Sequence, residues 1–127
     1  MEFTFNNKSS RDFNIKIKKS NHLSIPKRKR EFIEVQGRTD NLIVDEGCRD
    51  MLDLQIEAYI DCRNEDTYSY ALRLDSWLNG ISGYSNLIFD DGVELKAIFV
   101  GQIDFNSITK NFEEILLQFK AYRESDL

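Results

Sequence analysis

The residues of this 127-residue chain with which a reaction or a metal could be attempted are one histidine, His22, two cysteines, Cys48 and Cys62, and an acidic cluster, Asp90, Asp91 and Glu94. None falls into a chemical pattern. A zinc site needs His and Cys ligands at set spacings, and a nucleophilic triad needs a base with an orienting acid. His22 has no neighbouring thiol and no second imidazole, and is expected at the surface or at a strand end. Two cysteines are too few for a disulfide scaffold, so both are read as reduced, Cys62 as a small core residue and Cys48 in a turn-like stretch, with a disulfide between them as the minor alternative. Asp90-Asp91-Gly92 lacks the ligand period of a calcium loop and reads as a solvated hairpin turn. Gly80-Ile81-Ser82-Gly83 has neither the preceding strand nor the following Lys-Ser/Thr of a phosphate loop, and reads as a helix stop and a turn. The expectation is a protein that is not an enzyme, with no catalytic residue, metal ligand or cofactor.

Residues suited to binding are easier to find. Lys27-Arg28-Lys29-Arg30 places four cations side by side, which repel unless solvated or partnered, so the run is either a solvated connection or a dock for an acidic neighbouring subunit. Tyr59 sits on the polar face of its strand, as a cross-strand packer or an interface anchor. Charge divides unevenly: residues 1–50 carry 11 Lys/Arg against 8 Asp/Glu, and residues 51–127 carry 6 against 14, or +3 and −8 within a net −5. An acidic protein lacks the general attraction to phosphate that drives nucleic-acid binding, which argues against nucleic acid as the primary partner.

The elements that must position these residues follow from hydropathy. With 41% hydrophobic and 31% charged residues, 127 residues make one folded domain. The longest apolar run is Ala97–Val100, far short of a membrane span, and the start lacks the features of a secretory signal, so maturation in the cytoplasm is expected. From Leu52 to Cys62 every even position is apolar, a half-buried antiparallel strand. Asn64 to Thr67 offers N-cap residues, and Tyr70/Ala71, Leu74, Trp77/Leu78 and Ile81 form the stripe of a helix at about 65–80 that Asn79-Gly80 ends. Leu72 lies off that stripe. Leu87 to Phe89 is a short strand, and Leu95 to Phe105 alternates again. Residues 112–122 satisfy both helical and strand spacing and are read as a strand, partly on the resemblance described next. Phe13–Lys18 and Glu31–Val35 are short strands flanking the basic run. The sum is a mainly β (α+β) fold, an antiparallel β-sandwich with one packed α-helix and an extended loop or hairpin.

Taken in order, several segments resemble the N-terminal domain of the siphovirus-type phage distal tail proteins. Phe3-Thr4-Phe5-Asn6-Asn7-Lys8-Ser9-Ser10-Arg11-Asp12-Phe13 is similar to the family's opening. Ile33 to Leu42, with Gly37-Arg38, resembles a Gly-Arg turn of that family, and Asp45-Glu46-Gly47 the acidic-glycine step after it. Trp77-Leu78, Gly83-Tyr84, Leu87 and Ala97 match a later succession. Gln36 and Thr39-Asp40 depart from the usual turn residues, and the family's second β-domain has no counterpart within residues 1–127, as expected of either a short member or one domain of a longer protein. The resemblance implies a tail-tube-like fold and a structural role in the virion. It implies a hexameric ring at the phage tail tip, assembled in the host cytoplasm. The ring would join the tail tube protein to the tail-tip or tail-associated protein and to receptor-binding proteins, with DNA only passing through a lumen lined by the acidic half, and with no membrane partner. The interface residues would be Lys27, Arg28, Lys29, Arg30, Gly37, Arg38 and Tyr59. The alternatives are a small cytoplasmic regulatory or inhibitor protein acting by protein contact, and a nucleic-acid-associated protein using basic residues 8–30.

Overall fold

The computed structural model describes residues 1–61, 66–109 and 112–124, with the side chains of 106–109 and 112 left aside. Ten strands and one α-helix occur in the described residues: β1 (Phe3–Phe5), β2 (Lys8–Ser9), a 3-10 turn (Ser10–Phe13), β3 (Ile15–Ser20), β4 (Arg28–Glu34), β5 (Asn41–Arg49), β6 (Leu52–Asp61), α1 (Thr67–Asn79), β7 (Ser85–Phe89), β8 (Glu94–Val100), β9 (Asn106–Thr109) and β10 (Phe112–Tyr122). All pairings are antiparallel, and the order along the main sheet is β2-β1-β7-β8-β10-β6-β3, with β9 beside β10; β4 and β5 pair only with each other.

The two layers come from one sheet that curls over itself. In a flat sheet β7 and β3 would lie four strand spacings apart, roughly 19 Å. Yet His22, just past β3, stacks on Phe89 of β7 with ring centroids 3.9 Å apart. Likewise Phe5 of β1 meets Phe119 of β10 at 5.2 Å across three spacings. The inner face collects the alternating apolar residues: Leu54, Ile56, Ala58 and Ile60 of β6, Leu117 and Phe119 of β10, Ala97 of β8 and Leu87 of β7. Long central strands flanked on both sides explain why residues 112–122, whose Glu and Leu content suits a helix, form a strand: Ile115, Leu117, Phe119 and Ala121 fill the inner face while Leu116 and Lys120 face outward.

Helix α1 closes the open side of the curl. Asp66 caps it by accepting the Ser69 N–H, and Gly80 ends it, where a Cβ would collide with the Ser76 carbonyl oxygen. Tyr70, Leu74, Trp77 and Leu78 are buried as the stripe predicts, while Leu72 is exposed. The indole of Trp77 stacks on Phe13 at 4.3 Å and on Phe3 at 5.7 Å, and its Nε1–H donates to the Phe5 carbonyl at 2.7 Å. Tyr70 donates its hydroxyl proton to the Phe13 carbonyl at 2.5 Å.

Several sequence expectations need correction. His22 does lie at a strand end, but it is buried, because Phe89 covers its ring and both nitrogens have partners: Ser20 Oγ at 2.8 Å and Asp91 Oδ2 at 2.7 Å. The basic run is no simple connection: Arg28 to Arg30 belong to β4. Cys48 sits in a strand, β5, and not in a turn, and carries a free thiol. Cys62 lies outside the described residues. The long alternation from Leu95 breaks at Gly101, whose φ of +94° ends β8, although Ile103 and Phe105 still pack on the core.

Truncating a buried aromatic of this kind costs ~3–5 kcal/mol. Trp77→Ala is therefore expected to lower the thermal unfolding midpoint sharply in a circular-dichroism melt, and a melt unchanged from the natural sequence would show that α1 does not close the curl.

Candidate interface on the β4–β5 hairpin

Six of the seven residues singled out for an interface lie on the hairpin of β4 and β5 or at its start, Lys27, Arg28, Lys29 and Arg30 at the root and Gly37 and Arg38 at the tip. Tyr59 is not among them: it sits on the outer face of the main sheet, half-buried, opposite Lys16 and with the Lys18 ammonium 5.6 Å from its ring.

The hairpin's turn is set by Gly37, whose φ of +83° follows Gln36, and the Arg38 N–H closes it on the Val35 carbonyl at 3.1 Å. A positive φ at the third position of a turn is a type II geometry that favours glycine. Arg38 then forks onto Asp40 at 3.1 and 2.7 Å. Near the root the register slips, because Glu46, Gly47 and Cys48 of β5 oppose Lys29 alone between the pairs Arg28–Arg49 and Arg30–Asp45. Gly47, at φ +79°, makes this bulge, which is what the Asp45-Glu46-Gly47 step encodes.

The cations of the run are largely neutralised within the hairpin. Arg28 contacts both carboxylate oxygens of Asp45 at 3.1 and 3.2 Å, Arg30 reaches the same carboxylate at 3.5 Å, and Lys27 lies 3.8 Å from Asp50. Lys29 is the member of the run with no such pair among the described residues. Cross-strand pairing thus answers the repulsion of four adjacent charges.

What the charge pattern hid is the apolar content between root and tip. Phe32 (62% exposed) pairs with Ile43 (58%) on one face, and Ile33 pairs with Leu42 (52%) on the other, joined there by Val44. Neighbouring residues of a strand point to opposite faces, so Phe32-Ile33 and Leu42-Ile43-Val44 leave both faces of the ribbon apolar and uncovered. The sequence did carry this signal, as runs of adjacent apolar residues where a one-sided strand would alternate.

Elsewhere the polar clusters have structural work. Asp91 accepts from His22 and from the Val93 N–H at 3.2 Å, and Asp90 accepts the Glu2 N–H at 3.1 Å, so the β7–β8 turn is tied to the termini of β1 and β3. No group of three or more metal-ligating side chains is found among the described residues, and none of their helices is long and apolar enough to cross a membrane.

No family model matches this chain, and no curated protein does. Its fold is similar to the crystal structure of the SPP1 Dit (gp 19.1) protein, described as a paradigm of the hub adsorption apparatus in phages that infect Gram-positive bacteria: TM-score 0.76 at 12% identity, over 97% of this chain and 49% of that one. The chain thus spans about half the length of that protein. A mostly antiparallel β fold with one helix is common to both.

Hydrogen bonds from Arg28 first, and then from the Gly47 N–H, hold the Asp45 carboxyl down at about 2, from an ordinary 3.8. Since the folded value is the lower one, Asp45 supports the hairpin root fully above 3.8 and loses that role as pH falls through 2. In an NMR titration the Gly47 amide should therefore move with a midpoint near 2, and a midpoint at 3.8 would mean that Arg28 and Asp45 are not paired.

Proposed function

We propose that this chain is a structural subunit of a phage tail tip that assembles into a ring, joining the tail tube to the tip and host-recognition proteins. The observation that carries this reading is the β4–β5 hairpin. An isolated two-stranded ribbon is marginal in water, and this one has no core of its own and apolar side chains on both faces. Such an element is completed by a neighbour. The fold it extends from is shared with a phage hub protein, and a cyclic ring gives every copy a neighbour in the same pose.

The edge strand β3 supports contact through the hairpin instead of through sheet extension. Lys16, Lys18 and Lys19 stand exposed along it, a placement that discourages pairing with another strand. Within the basic run internal pairing leaves Lys29 as the unpaired cation among the described residues, and the net charge of −5 weakens the nucleic-acid reading, which leaves DNA as a passenger in the lumen. A hexamer, with tail tube, tail-tip and receptor-binding proteins as partners, is the arrangement this reading favours.

Size exclusion with light scattering at concentrations up to the millimolar range, followed by negative-stain microscopy, tests the proposal. The natural sequence should give closed rings with a central hole, whereas Phe32→Glu/Ile43→Glu should stay monomeric with its melting midpoint unchanged. A natural chain that is monomeric at every concentration, indistinguishable from the double variant, would contradict it.

A further inference from the structure

A second uncovered apolar surface lies at the hairpin's own root. A trough of about 350 Å³ opens there, walled by Cys48, Met51, Leu52, Tyr84, Leu95 and Tyr122. Its shape is held by the edge-on packing of Tyr84 against Tyr122 at 5.1 Å and by the Tyr84 hydroxyl, which donates to Met51 Sδ at 3.5 Å. A cavity of about 150 Å³ suffices to take up benzene, so this one has room for two apolar side chains. Its rim is positive: Lys29, Arg49 and Arg123 outnumber Asp50 by two. The hairpin beyond the bulge is the reverse, since over residues 31–44 Glu31, Glu34 and Asp40 outnumber Arg38 by two.

The two surfaces do not meet within one molecule: none of Phe32, Ile33, Leu42 and Ile43 walls the trough, although Phe32 lines a neighbouring hollow with Lys29 and Asp50. From Arg28 to Ile33 the strand runs five residues away from the root, roughly 17 Å at the rise of a β-strand. The two surfaces can meet between molecules, and a head-to-tail contact of two different patches generates a ring where the rotation between copies closes.

We infer that the trough is the receptor for the outer half of the hairpin of a second copy of this chain, with Ile33/Leu42 or Phe32/Ile43 seated against Tyr84 and Tyr122, and Glu31 and Glu34 facing Lys29 and Arg123. This rests on the ring reading and adds to it the docking partner of each hairpin. Every subunit then gives one hairpin and receives one.

The free thiol of Cys48 in the trough wall makes the contact measurable. Cysteine is introduced singly at Phe32, Ile33, Leu42 or Ile43 of a chain carrying Cys62→Ser, and the protein is oxidised with copper–phenanthroline and run on a non-reducing gel. Disulfides between the new cysteine and Cys48 of the next copy should give a ladder of covalent oligomers at one or more of the four positions, and Cys48→Ser in the same chain should remove it. Oligomers by light scattering without a Cys48-dependent ladder at any position would overturn the trough assignment and leave the ring standing. A chain monomeric by both measurements would overturn the ring reading itself.

Discussion

Trp77 is the contact on which the architecture turns. A curled antiparallel sheet has an open side, and here one indole covers it, lying on Phe13 and Phe3 and hydrogen-bonding to the backbone of β1. Together with Tyr70, which donates to the Phe13 carbonyl, that side chain joins the helix, the N-terminal strand and the 3-10 turn into a single packed body. The His22 clasp closes the same curl elsewhere, joining the end of β3 to the β7–β8 turn with a buried, fully partnered imidazole. Buried polar groups of this kind are stable only when satisfied, and on both ring nitrogens this one is.

With the body so closed, the hairpin stands out by contrast. Phe32, Ile33, Leu42, Ile43 and Val44 all point to solvent, and the pairs of Arg28 and Arg30 with Asp45 run across the ribbon. The body supplies the core and the hairpin supplies unfinished surface. The polar groups that could have served chemistry, His22 and Asp91 above all, are engaged in holding strands together.

Much of the body was legible in the residues because it depends on local period. β6 and β8 alternate strictly, and the helix carries its stripe, its cap at Asp66 and its stop at Gly80. The burial of His22 was not legible, since its partner Asp91 is 69 positions away and nothing near His22 announces it. β5 was obscured by Asp45-Glu46-Gly47, which resembles a turn and is a bulge within a strand. On the hairpin, charge drew attention to Lys27–Arg30 and Arg38, whereas the residues with most surface to bury are Phe32, Leu42 and Ile43. Tyr59, read as an anchor or a packer, has a cross-strand setting on another face, and the sequence gives no reason to group it with the hairpin.

The central claim is that the hairpin is an element completed by a neighbour, and amide hydrogen exchange followed over a dilution series tests it most directly. The account predicts that β6 and β10 amides are protected at every concentration, while those of β4 and β5 become protected only where copies associate. Equal protection of the hairpin at all dilutions would show that it is stable alone, and would contradict the account.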